Sequence, residues 1–94
     1  MSINEQKILV VDDDPVVLKS LKDLLAIRGF NPNTAIGGQE AICQLDQNEY
    51  DLVLLDLHMP YVSGHDVMDY INSNKIDTSV IIVSGETSFE AAKN

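Results

Sequence analysis

The chain has very little cysteine, few basic side chains and no long apolar run, and each shortage removes a class of protein. A single Cys43 cannot close an internal disulfide, so this is not a disulfide-stapled secreted scaffold. Six Lys and Arg stand against 15 Asp and Glu, and the net charge of −9 disfavours attraction to nucleic-acid phosphate or to an anionic bilayer. With no run of about 18 apolar residues and no basic leader ahead of a shorter one, neither a membrane span nor a secretory signal is expected. The cytosol is the expected compartment. Repeats, low-complexity tracts and linkers are also missing. What remains is an ordinary globular balance, 45% hydrophobic and 22% charged in 94 residues, enough for one domain over residues 1–94 with a thin core.

From Lys7 onward, short apolar runs alternate with longer amphipathic stretches, the pattern of β-α units on a parallel sheet. The run 8–11 has no polar alternation, as a central strand covered on both faces requires. Asp14 stands at an N-cap position ahead of Pro15, and Val17, Leu18, Leu21, Leu24 and Leu25 recur at helical spacing until Gly29. This predicts a first helix. A second strand is expected over 30–35, at a sheet edge because Pro32 cannot donate to a ladder. Gly37 and Gly38 turn the chain into a second helix over 40–45, with Ala41, Ile42 and Leu45 on one face and Cys43 read as a small core side chain. Residues 51–56, DLVLLD, form the third and most apolar strand, ending on a carboxylate. Pro60 and Gly64 delimit a loop before a third helix carrying Val67, Met68 and Ile71. The fourth strand is expected over 80–83, followed by a turn at Ser84, Gly85 and Glu86 and by Ser88 as the cap of a helix starting at Phe89. Tyr50, Met59 and Met68 read as packing residues. His58 and His65 read as loop and helix-surface side chains.

In an open parallel sheet, ligands bind beyond the carboxyl ends of the strands, where loops converge and helix N-termini point. Here the first strand runs into Asp12, Asp13 and Asp14, the third into Asp56 and the fourth into Ser84. If the first and third strands are neighbours, three or four carboxylates crowd together. Their mutual repulsion raises their own pKa values unless a cation sits among them. With no His or Cys in a ligand-like spacing, a hard ion with oxygen ligands fits, and Mg²⁺ better than Zn²⁺. Such an ion serves phosphoryl transfer, with a central carboxylate as nucleophile.

Taken together, VVDDDP, DLVLLDLHMPYVSG and VIIVSGE, in this order and spacing, resemble the receiver domain of bacterial response regulators, over Lys7 to Glu86. The resemblance implies a flavodoxin-like α/β fold, an open parallel sheet in strand order 2-1-3-4, with the fifth strand and last helix of the family missing. It implies that Asp56 accepts phosphate from a histidine kinase or phosphotransfer protein. It further implies that Asp12 and Asp13 bind Mg²⁺ together with Asp56, Asp13 being the more direct ligand. His58 would add its backbone carbonyl rather than its imidazole, and Ser84 would supply the hydroxyl that meets the phosphoryl group and moves on activation. The chain would be a phosphoacceptor, not an enzyme. The family's fifth-strand Lys has no counterpart, since Lys93 falls in the fourth-helix region. Without a fifth strand and helix, the fourth strand would be an apolar edge, and a homodimer through that edge is expected.

Two other readings share these residues. Asp12 and Asp14 after an apolar strand also resemble the DxD start of haloacid-dehalogenase-type phosphatases, with Asp12 as nucleophile and Asp14 as acid, but that family gives no reason for Asp56, Pro60 and Gly64. A receiver-like module that acts through contacts alone would keep the fold without phosphorylation. The output of the protein and the identity of a cognate kinase are not written in these residues.

Overall fold

The computed structural model describes residues 5–83, and these carry four strands and three helices. In chain order they are β1 (Ile8–Asp12), α1 (Pro15–Ile27), β2 (Asn33–Ile36), α2 (Gly38–Gln47), β3 (Leu52–Leu55), α3 (Gly64–Ser73) and β4 (Ser79–Ile82). The strands form one sheet, ordered β2-β1-β3-β4, and every pairing is parallel. This is the flavodoxin-like order that the family resemblance implies.

All five residues of β1 are buried, as its unbroken apolar run demands. Alternate side chains go to opposite faces. Leu9 and Val11 join Ala35, Ala41, Leu45, Val53, Leu55, Val67 and Ile71 in the core under α2 and α3, while Ile8 and Val10 pack with Leu18 under α1. The α1 side is the thinner layer. Leu52 and Leu54 on that face are only half buried, whereas Val53 and Leu55 on the other are closed off completely. β4 lies at an edge of the sheet among the described residues, and its Ile81 and Ile82 are 51% and 40% exposed.

The helix ends follow from short-range chemistry. Asp14 caps α1 by accepting a 2.9 Å bond from the Val16 amide, with Pro15 at the first helical position. At the other end the amides of Gly29 and Phe30 turn back onto the Ala26 and Leu25 carbonyls, which places Gly29 in the left-handed region at φ 91°. α3 ends in the same way, with Lys75 and Ile76 bonded to Asn72 and Ile71. There a lysine holds the left-handed position, at φ 53°.

Four expectations are corrected by the fold. β2 begins at Asn33, after Pro32, because proline has no amide to give the ladder. Its edge position is as expected. α2 begins earlier, at Gly38 rather than at 40. α3 includes Gly64, expected as the end of the loop before it, since Ser63 and Asp66 form a reciprocal capping box. Cys43 is exposed instead of in the core: it lies two positions from both Ala41 and Leu45, and at about 100° per residue that turns it away from their stripe. Tyr50 and Met59 are buried and Met68 is packed against the core, as expected. Among the described residues no helix is long and apolar enough to cross a membrane.

A lysine in the left-handed region pays a steric cost that glycine avoids. Lys75→Gly is therefore expected to raise stability by about 0.5–1 kcal/mol, seen as a higher urea midpoint at unchanged slope. An unchanged or lower midpoint would show that the Lys75 side chain contributes more than its backbone costs.

Candidate functional site

The site is built by register. Val11 of β1 is level with Leu55 of β3, so the next residues, Asp12 and Asp56, come out abreast at the carboxyl ends of adjacent strands. The Asp56 amide donates to the Val11 carbonyl at 3.0 Å, extending the ladder by one bond and holding Asp56 against β1. Asp13 follows at the mouth. Asp12, Asp13 and Asp56 each offer a carboxylate oxygen, and these oxygens all lie within 4.8 Å of one another.

The three acids differ in surroundings. Asp12 is the one buried charged residue among those described, at 7% exposure, whereas Asp13 is exposed and Asp56 intermediate. Asp12 Oδ1 accepts from the Asp14 amide at 2.9 Å, and Asp56 Oδ1 accepts from the His58 amide at 3.1 Å. Burial pushes the Asp12 carboxyl up to about 6, against the stabilising Asp14 amide, and the charges of Asp56 and Asp13 push the same way. Three oxygen donors without an accompanying His or Cys suit a hard divalent cation, and an ion there would relieve the repulsion that raises Asp12.

The surrounding backbone is drawn in tightly. The Gly37 amide donates to the Asp12 carbonyl at 3.1 Å, tying the start of α2 to the end of β1. A Cβ on Gly64 would stand 2.4 Å from the Asp56 carbonyl oxygen and 2.6 Å from the Leu57 Cα, so only glycine lets α3 rest on that peptide. Gly38 meets Val62 of the β3–α3 loop equally closely.

Of the residues singled out from sequence, Asp12, Asp13 and Asp56 come together. His58 follows Asp56 with an exposed side chain and its amide turned to the Asp56 carboxylate. Asp14 is occupied as the α1 cap and is not in the three-acid group, which weakens the phosphatase reading that needs it as an acid. Ser84, Ser88 and Phe89 lie outside the described residues. The close contacts of Gly38 and Gly64 were not anticipated, because Gly37, Gly38 and Gly64 signal only turns in sequence.

A family model described as the response regulator receiver domain matches residues 8–94. The cell cycle response regulator CtrA of Brucella ovis is 32% identical over 84 residues, which cover 89% of this chain and 36% of that protein. The chain thus spans about a third of the length of the curated relatives it matches. The response regulator TrrA of Thermotoga maritima, crystallised with Mg²⁺-BeF, is 36% identical with a TM-score of 0.82, over 92% of this chain and 75% of that one. TrrA crystallised in complex with the histidine kinase ThkA gives 39% identity and a TM-score of 0.78, over 85% of this chain and 69% of that one.

The raised Asp12 pKa sets a pH dependence. A carboxyl that holds its proton more tightly in the folded chain than in the unfolded one costs stability as pH rises through the window from about 4 to about 6. In chelator, Asp12→Asn is expected to gain stability over wild type across that window, read as a widening gap between urea midpoints. Parallel midpoint curves for the two proteins would contradict this.

Proposed function

Since the chain belongs to the response regulator receiver domain family, we propose that it takes a phosphoryl group from a histidine kinase or phosphotransfer protein onto Asp56, with Mg²⁺ bound by Asp12, Asp13 and Asp56. The observation that carries this reading is the meeting of those three carboxylates, with Asp56 abreast of Asp12 at the carboxyl ends of the two central strands. His58 would contribute its backbone carbonyl to the ion. Ser84, at the end of the fourth-strand run, would meet the phosphoryl oxygens with its hydroxyl.

Within this reading each residue has a separate task. A carboxylate oxygen of Asp56 forms the bond to phosphorus while the donor's nitrogen–phosphorus bond breaks, leaving an acyl phosphate on Asp56 and the electron pair on the departing imidazole nitrogen. The His58 amide, 3.1 Å from Asp56 Oδ1, orients the carboxylate for attack. Asp12 and Asp13 hold negative charge beside it that would repel the incoming group if it were uncompensated. The ion, when bound, neutralises charge on the transferring group and on these acids. The Asp14 amide bond to Asp12 keeps that carboxylate aimed at the site. The protein acts as a phosphoacceptor in the cytoplasm rather than as an enzyme, and the fit to a kinase follows the TrrA–ThkA precedent.

Incubation with a small-molecule phosphodonor and Mg²⁺, followed by mapping of acyl phosphate, tests this directly. Label is expected on Asp56, lost in Asp56→Asn, and reduced about tenfold or more in Asp13→Asn through weakened cation binding. Steady turnover of the donor through a label on Asp12 would favour the phosphatase reading instead.

We further propose that this chain self-associates through β4, which lies at a sheet edge among the described residues and carries the exposed Ile81 and Ile82. Sedimentation at rising concentration should show a monomer–dimer equilibrium, and a monomer throughout would rule that contact out.

A further inference from the structure

The loop between β3 and α3 carries the backbone that follows Asp56, yet much of it faces water. Tyr61 is 99% exposed and sits in the left-handed region at φ 65°, a strained setting for an aromatic residue. Such a conformation persists only where its surroundings over-determine it. Three anchors do so. Met59 is buried in the core under α2 and α3. Gly64 lies against the Asp56–Leu57 peptide, and its amide donates to the Leu57 carbonyl at 3.3 Å. The third anchor comes from another element: a Cβ on Gly38, in the first turn of α2, would stand 2.2 Å from the Val62 carbonyl oxygen and 2.6 Å from its Cγ1.

The Val62 contact differs from ordinary packing because its nearest atom is backbone. No rotamer change relieves it. Carbon–oxygen contacts settle near 3.3 Å or beyond, so a methyl group at position 38 would drive the loop or the helix back by about 1 Å. Both sides of that contact reach the acid cluster. On one side, the Gly37 amide holds the Asp12 carbonyl at 3.1 Å. On the other, the loop leads back from Val62 to His58, whose amide holds Asp56 Oδ1.

We propose that Gly38 is a positioning residue for the Asp12, Asp13 and Asp56 site: its missing side chain seats the β3–α3 loop on the first turn of α2. That seating holds the backbone around Asp56 and His58 in the geometry that receives a divalent cation. The proposal rests on the receiver reading of the site and adds to it a residue outside the acid cluster that tunes cation affinity. Small displacements matter here, since ligand groups lose affinity when the residues supporting them shift.

The test uses the full chain and two measurements. In calorimetric titration with Mg²⁺, Gly38→Ala is expected to bind about tenfold more weakly than wild type. In metal-free protein the same variant should exchange the His58 amide faster. The control is Ala41→Gly, a core substitution in the same helix that loses stability without touching the loop and should keep wild-type affinity. Wild-type affinity and wild-type His58 exchange in folded Gly38→Ala would overturn the proposal, as would equal weakening in Ala41→Gly. If wild type itself bound no Mg²⁺, the receiver reading would fail, while His58 exchange in Gly38→Ala would still decide whether Gly38 positions the loop. Should Gly38→Ala not fold, Val62→Gly removes the Cγ1 side of the contact and frees the loop backbone that carries the Val62 carbonyl. It should weaken Mg²⁺ several-fold, and unchanged affinity there would likewise overturn the proposal.

Discussion

Parallel register carries β1 and β3 one residue past their last paired side chains and leaves Asp12 abreast of Asp56, with Asp13 close by. Carboxylates held this near one another repel, and burial of Asp12 removes the water that would screen them. The chain meets that cost with two backbone amides, from Asp14 and His58, and with a proton that Asp12 keeps up to a pH of about 6. A cation held among the three carboxylates would offset that cost further, and the proposed chemistry follows from it: the same ion would neutralise an arriving phosphoryl group.

The rest of the fold acts as a frame for that cluster. The apolar run of β1 puts it at the centre of the sheet, so Asp12 emerges between neighbours on both sides. Capping chemistry then sets the loops: Asp14 starts α1, and the Ser63–Asp66 pair starts α3 directly above Asp56. Two glycines permit approaches that no other residue allows, Gly64 on the Asp56–Leu57 peptide and Gly38 on Val62. Between them the β3–α3 loop keeps a tyrosine in a conformation it would otherwise leave.

Much of this was legible in the residues themselves. Apolar runs and helical periodicity gave the order of elements, the edge position of β2 and the first helix with its cap at Asp14. The acids at the strand ends pointed to the cluster in which Asp12, Asp13 and Asp56 lie together. Less legible were features whose signals compete. Cys43 reads as apolar, but its angle on α2 turns it to solvent. Ser63 and Asp66 carry a capping box that Pro60 and Gly64 overshadowed as loop markers, so Gly64 read as the end of the loop rather than as part of α3.

Local pattern determined by itself which segments are strand or helix, though not their exact ends, because periodicity, caps and the amide missing from proline act over a few residues. Only the tertiary structure decided that β1 and β3 are neighbours in a register that levels Asp12 with Asp56. It alone decided that Gly38 meets Val62 across two elements. Those contacts join residues far apart in the chain, and their distances are set by how helices cover the sheet and how crossovers return each strand beside another, which no short stretch of sequence encodes.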